Sequence, residues 1–231
     1  MIKKPAQGIF VTGTDTGVGK TYVAALIARS LVASGKRVGV YKPAASGCRR
    51  EGDELVSDDA ATLWEAAGRP GDLSHVCPQQ FTAPLAPHLA ARAEGREIDA
   101  DLLRSGLSYW HDRCDIVLVE GAGGLMSPMG EDEFVADLAY DFGYPLIVVA
   151  PNVLGVINQT LQTLITAATF RDGLEVAGII LNDVRPDASD PSTESNAEQL
   201  GHFCVPPLLA HVRWQGDDIG RSDWVELSEN L

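Results

Sequence analysis

Apolar residues in this chain follow two patterns. The segments Ile9 to Val11, Arg37 to Tyr41, Asp115 to Glu120, Leu146 to Ala150, Val176 to Leu181 and Leu208 to Val212 each carry a short, nearly unbroken apolar run. Such runs are the signature of strands covered on both faces of a sheet. Between them apolar positions recur at helical spacing. From Lys20 to Ser34, Val23, Leu26, Ile27 and Leu31 share one stripe, with Gly35 as the stop. A helix starts at Asp58-Asp59-Ala60, where the two carboxylates face the positive end of the helix dipole and read first as capping groups. Another runs from Val156 to about Phe170 and carries Ile157, Leu161, Leu164 and Ile165, more apolar residues than one sheet face needs.

The intervening stretches are polar or broken. Arg49 to Ser57 reads as irregular, and Thr82-Ala83-Pro84-Leu85-Ala86-Pro87-His88 as a loop before a helix that begins near His88, with His88 itself a polar loop residue. Pro186 to Ser195, rich in Asp, Ser and Pro, reads as a mobile loop. Strands alternating with helices predict an α/β fold: a doubly wound, mostly parallel sheet flanked by helices, with the ligand crevice at the carboxyl ends of the strands.

The first run breaks into Gly13-Thr14-Asp15-Thr16-Gly17-Val18-Gly19-Lys20-Thr21. A glycine-rich loop between a strand and a helix presents backbone N–H groups and a positive dipole end to a polyphosphate. Lys20 is placed to reach the β/γ oxygens and Thr21 to ligate Mg²⁺. The strict phosphate-loop spacing would put glycine where Thr14 stands, yet the strand, the loop and the Gly-Lys-Thr opening of a helix remain in place. Lys42, at the carboxyl end of the second strand before Pro43-Ala44-Ala45-Ser46-Gly47, faces the same crevice. Glu120 ends a buried strand opposite the loop, where a carboxylate holds or orients Mg²⁺, and Gly121-Ala122-Gly123-Gly124 allows close approach of backbone to substrate. Neither lysine belongs to an apolar stripe, so replacing either is expected to leave the fold intact.

Composition narrows the partners. The chain has 231 residues, 45% hydrophobic and 22% charged, without a Gly/Ser- or Pro-rich linker, which suits one α/β domain over residues 1–231. A net charge of -14 opposes binding to nucleic acid or an anionic membrane. Cys48, Cys77, Cys114 and Cys204 form no C-x-x-C pair and read as reduced thiols. The start, Met1-Ile2-Lys3-Lys4-Pro5, lacks the apolar stretch of a signal peptide and no run of eighteen apolar residues occurs, so a cytoplasmic location is expected.

Gly13-Thr-Asp-Thr-Gly-Val-Gly-Lys-Thr21, Tyr41-Lys-Pro-Ala-Ala-Ser-Gly47, Glu120-Gly-Ala-Gly-Gly124 and Asn182-Asp183-Val184 stand in the order and spacing of the dethiobiotin synthetase family of P-loop enzymes, and the whole chain resembles that family. The displaced glycine is the family's habit. The resemblance implies a P-loop NTPase fold and an ATP-dependent ring closure: 7,8-diaminopelargonic acid takes up carbon dioxide as a carbamate, ATP phosphorylates it, and the second amine displaces phosphate to give dethiobiotin. It implies Mg²⁺ on Thr21, Asp59 and Glu120, with Asp59 rather than Asp58 as the matching carboxylate. Lys20 and Lys42 become the charge-neutralising catalytic residues. ATP contacts are implied for Asp15, Thr16, Gly17, Val18, Gly19, Lys20, Thr21, Asp59, Glu120, Gly121, Ala122, Gly123, Asn182, which reads the adenine, Asp183, Arg213 and Trp214. Substrate contacts are implied for Thr14, Ser46 and Gly123.

The active unit implied is a homodimer, in which the N-terminus of the helix after Val153-Leu154-Gly155 holds the substrate carboxylate for the partner's crevice through free backbone N–H groups. Two departures stand out. Val212-Arg213-Trp214 occupies a loop where the family commonly has proline, leaving Arg213 available to a phosphate or ribose, and Ser195-Asn196-Ala197-Glu198 lacks a tyrosine that some members carry. Partition ATPases share the loop but carry a second lysine at the place of Asp15, and amidoligases append a glutaminase domain for which this chain has no room.

Overall fold

The computed structural model describes residues 2–186, 190–220 and 223–229. Its strands in chain order are β1 (Gly8–Gly13), β2 (Val38–Tyr41), β3 (Ala44–Ala45), β4 (Arg49–Glu51), β5 (Glu54–Val56), β6 (Gln79–Gln80), β7 (Ile116–Gly124), β8 (Leu146–Pro151), β9 (Val176–Asn182) and β10 (Leu208–Val212). The α-helices are α1 (Lys20–Ala33), α2 (Asp58–Ala66), α3 (Leu73–Val76), α4 (Pro87–Ala93), α5 (Ala100–Ser105), α6 (Val135–Phe142), α7 (Val156–Thr169), α8 (Asn196–Phe203) and α9 (Trp224–Glu229).

Six strands form one sheet in the order β10-β9-β8-β1-β7-β2, every neighbouring pair parallel. The apolar runs explain this arrangement, because β1 and β8 are buried along their whole length, as strands covered on both faces must be. β1 is the strand at which the chain changes direction. The first crossover leads outward to β2, the next returns to β7 beside β1, and the chain then passes to β8 and builds away on the other side. Ligands of open α/β sheets bind at such a switch point, outside the carboxyl ends of the strands. The register between β1 and β7 shifts after Val11↔Glu120 and resumes at Gly13↔Gly124, which brings Gly124 level with the start of the phosphate loop and leaves Glu120 beside Val11, two residues before it.

The stripe of α1 is confirmed: Val23, Leu26, Ile27 and Leu31 are each at most 2% exposed. Burial of side chains of this size contributes roughly 1.5–3 kcal/mol each. The helix ends at Ser34, whose N–H donates to Ser30 O, and Gly35 takes the left-handed φ of 82° that follows.

Elsewhere the structure departs from the sequence reading. Arg49 to Ser57 is not irregular: β4 and β5 pair antiparallel, with Arg50 opposite Leu55, around the two-residue turn Gly52-Asp53. Gly52 sits at φ 64°, the conformation such a hairpin turn requires. His88 is not in the loop but in the first turn of α4, which opens on Pro87, a residue suited to that position because its missing N–H has no helical partner. Within the expected mobile loop, Asp187 to Ser189 lie outside the described residues. Asp190 caps a short 3-10 turn at Pro191–Glu194 by accepting from Ser192 N–H at 3.0 Å.

Candidate active site

The loop after β1 is fixed before any ligand arrives. Thr14 N–H donates to Val149 O at 3.0 Å, and Lys20 Nζ donates back to Asp15 O at 2.8 Å. Asn182, at the end of β9, donates from Nδ2 to Val18 O at 2.9 Å. Gly19 must be glycine here: its φ is 88°, and a Cβ would stand 2.2 Å from Asn182 Nδ2. The loop therefore rests on a backbone carbonyl of β8 and on the Asn182 side chain at the end of β9.

Lys42, Asp59, Glu120 and Thr21 meet beneath it. Lys42 Nζ donates to Asp59 Oδ2 at 2.9 Å and to Glu120 Oε1, and Thr21 Oγ1 donates to the same Glu120 oxygen at 2.9 Å. Glu120 is 1% exposed and its Oε2 has no partner. Ser57 explains why Asp59 is available: its hydroxyl accepts the Ala60 N–H as the cap of α2, so Asp59 is not consumed in that role. Asp58 instead accepts from Arg49 Nε at 2.6 Å on the surface, tying the β4–β5 hairpin to α2. Between the two carboxylates, Asp59 is the one that joins the cluster.

Burial and charge compete here. Burial pushes the Lys20 ammonium down to about 8, with the nearby Lys42 adding to that and Glu120, Asp59 and Asp15 opposing it. Lys42 is more deeply buried still, but the attraction of Glu120 and Asp59 outweighs desolvation and holds its pKa above the ordinary lysine value. For Asp59, burial acts upward, while Lys42, Thr21 and Lys20 together hold it below the ordinary carboxylate value.

These groups line a cavity of about 790 Å³, together with Thr16, Gly17, Gly19, Ala122, Gly123 and Ser46. Pro84, Leu85, Ala86 and Pro87 form an apolar wall of the same cavity. A hard cation fits the donors: two carboxylates and a hydroxyl, with one buried carboxylate oxygen unpaired. Among the described residues no group of three or more His, Cys, Asp or Glu side chains can hold a metal ion. A cation here would complete its shell with oxygens from water or from phosphates, as Mg²⁺ in nucleotide sites does.

The comparisons with known proteins give the family. The AAA domain family matches residues 7–219. The ATP-dependent dethiobiotin synthetase BioD of Rhodopirellula baltica is 46% identical over 215 residues, covering 88% of this chain and 83% of that protein. The chain belongs to the ATP-dependent dethiobiotin synthetase family. The Bacillus subtilis member is 37% identical over 208 residues, with 88% of this chain and 85% of the relative covered. Solved structures similar in fold include a putative plasmid partition protein from Borrelia burgdorferi bound to AMPPNP (TM-score 0.57, 13% identity, 99% and 96% of the two chains). A ParA family ATPase from Chlorobium tepidum is alike to the same degree (TM-score 0.57, 15% identity, 98% and 90%). At such identity they share the P-loop fold alone.

Other residues expected at the site lie elsewhere. Asp183, Arg213 and Trp214 line a second, smaller cavity of about 220 Å³ with Asn152, Arg185, Pro186, Thr193 and Glu194. Arg213 stands 3.7 Å from Asp183, its ion-pair partner. Asp183 also accepts from Asn152 Nδ2 at 2.7 Å and pairs with His211 Nε2 at 2.8 Å. At Gly121 a Cβ would meet Val135 Cγ1 at 2.7 Å, so the position is also closely packed. Leu154 and Gly155 line neither cavity. The N–H groups expected to be free there are partly used, because Leu154 N–H donates to Asp190 Oδ2 at 2.8 Å.

Sequence reasoning missed Tyr22 and Ser127, both on the wall of the larger cavity. Ser127 Oγ accepts the Gly124 N–H at 2.9 Å, leaving its own O–H free to donate, and a Cβ on Gly123 would stand 2.2 Å from that oxygen. Its only signal was its place three residues beyond a glycine turn at a strand end.

Proposed function

We propose that this chain catalyses the ATP-dependent closure of 7,8-diaminopelargonic acid and carbon dioxide to dethiobiotin, ADP and phosphate. The observation that carries the reading is the convergence of Lys20, Lys42, Thr21, Asp59 and Glu120 in one cavity at the phosphate loop. One substrate amine attacks carbon dioxide and loses a proton, giving a carbamate. The carbamate oxygen attacks the γ-phosphorus and ADP leaves. The second amine then attacks the carbonyl carbon of the mixed anhydride, phosphate departs, and the cyclic urea is complete.

Each residue acts on charge or position. Loop N–H groups from Thr16 to Thr21 and the Lys20 ammonium receive the β- and γ-phosphates. Lys42 and Ser46 face the reacting nitrogens, where a preorganised cation stabilises the anionic carbamate and the leaving phosphate. Thr21, Asp59 and Glu120 would hold Mg²⁺, which when bound would supply charge neutralisation at the phosphates. The Pro84 to Pro87 wall takes the methylene chain. Asn182 Oδ1, buried without a partner, offers an acceptor for an amino group of the base.

We further propose a homodimer. The buried face of α7 is made of Val156, Thr160, Thr163 and Ala167. Ile165 on this helix is 62% exposed and Leu154, in the turn just before it, 81%, so this edge turns apolar residues outward, as a surface covered by a second copy does. In that arrangement Leu154 and Gly155 take the substrate carboxylate across the two-fold axis, displacing Asp190. Among the described residues no helix is long and apolar enough to cross a membrane; we read the chain as a cytoplasmic, single-domain enzyme whose acidic charge opposes nucleic-acid and anionic-membrane partners and whose substrates are small molecules. Mixing an inactive Lys42→Ala chain with an inactive Gly155→Trp chain tests the shared site. About a quarter of all sites should regain activity at equal mixing; no recovery despite subunit exchange places each site within one chain.

A further inference from the structure

The ammonium of Lys42 occupies the position a cation would take between the two carboxylates. It contacts Asp59 Oδ2 at 2.9 Å and the Glu120 Oε1 atom that also accepts from Thr21. These are the three side chains read above as metal ligands, and the inference rests on that reading. The Lys42 side chain is 5% and the Glu120 side chain 1% exposed, so each charge is compensated chiefly by the other and hardly by water. The other oxygen of Glu120 is buried and unpaired, so the lysine satisfies only one side of a carboxylate whose remaining oxygen no protein group meets.

We propose that Lys42 is a built-in surrogate for the metal: its ammonium holds Glu120 and Asp59 in register in the nucleotide-free protein, and metal entry displaces it into the cavity that receives the substrates. The side chain that the metal releases is then the cation facing the carbamate. Lys42 lines the same cavity as Ser46 and Gly123, so the released ammonium needs no new path to reach it. Metal loading and delivery of the catalytic charge become one event. The arrangement also opposes metal binding in the absence of phosphates, because the incoming ion must break a buried, hydrogen-bonded contact.

The test uses Mn²⁺ as the probe, with free Mn²⁺ measured by electron paramagnetic resonance against the full-length, nucleotide-free protein. Lys42→Met removes the competitor while keeping a long side chain. It should bind Mn²⁺ about tenfold or more tightly than wild type, the change expected when one charge-assisted hydrogen bond no longer has to be broken. The double variant Lys42→Met/Glu120→Gln should lose that gain. Lys42→Gln, which keeps a donor toward Glu120 without the charge, serves if Lys42→Met does not fold, and should show the same tightening. A folded Lys42 variant with unchanged or weaker Mn²⁺ affinity overturns the proposal. Failure of the underlying metal-site reading has a different mark: Glu120→Gln alone would then leave Mn²⁺ binding in the presence of ATP unchanged.

Discussion

Above about pH 8 the buried Lys20 should lose its proton in the free protein and regain it when a polyphosphate binds, and this can be read as protons. The residue is 6% exposed, and burial pushes its pKa from 10.5 down to about 8. In the free protein the neutral fraction is then about 0.1 at pH 7, about 0.5 at pH 8 and about 0.9 at pH 9. A bound triphosphate restores the ammonium, so binding must take up about those fractions of a proton per site. Calorimetric titration of a non-hydrolysable ATP analogue with Mg²⁺, in buffers of different ionisation enthalpy, gives the number as a slope. At pH 8 and above the nucleotide's own phosphates are fully ionised and do not contribute uptake. Lys20→Met should abolish the uptake at pH 9. The same shift has a sign for stability. Between about 8 and 10.5 the unfolded chain binds the proton that the folded chain has lost, so the free protein gains stability as pH rises through that window. The gain relative to Lys20→Met should approach roughly 3 kcal/mol. Zero uptake at pH 9 in the wild type, or uptake that survives Lys20→Met, refutes this account of the loop lysine.

The remaining predictions concern the cluster and the loop. Lys42→Ala should lower the rate of dethiobiotin formation about a hundredfold or more. Contrary to the expectation from sequence, it should also cost about 3–5 kcal/mol in urea unfolding, because it leaves Glu120 buried and uncompensated. Asp59→Asn should raise the Mg²⁺ concentration needed for half-activity, while Asp58→Asn, at a surface pair with Arg49, should change it by less than about twofold; the reverse order would shift the metal carboxylate by one residue. Gly19→Ala should weaken ATP binding and stability together, by more than about 1 kcal/mol in unfolding, since it imposes a left-handed φ on alanine and a clash with Asn182.

The strands of the main sheet were legible because burial on both faces writes itself as continuous apolar runs, as in Ile147 to Val149. The hairpin β4–β5 was not, because Arg49 to Glu51 are all exposed and carry no apolar alternation; only the Gly52-Asp53 pair marked the turn. α6 is eight residues long with the buried Asp137 in its first turn, too short and too mixed for periodicity to declare it. At the site, the phosphate loop could be read locally, since strand, glycines and Lys20 are contiguous. The Lys42–Glu120 contact joins residues 78 positions apart and is set by the sheet order. Asp59 looked like a helix cap until the structure gave that role to Ser57. The pairing of Arg213 with Asp183 joins two neighbouring strand ends and cannot be seen along the chain.

The central claim is a reaction, and its product can be weighed. Purified protein incubated with 7,8-diaminopelargonic acid, labelled bicarbonate, Mg²⁺ and ATP should form labelled dethiobiotin, with one ADP and one phosphate released per ring closed. Omitting the diamine should suppress ADP release to background. ATP hydrolysis that proceeds without the diamine, with no label recovered in dethiobiotin, would contradict the account.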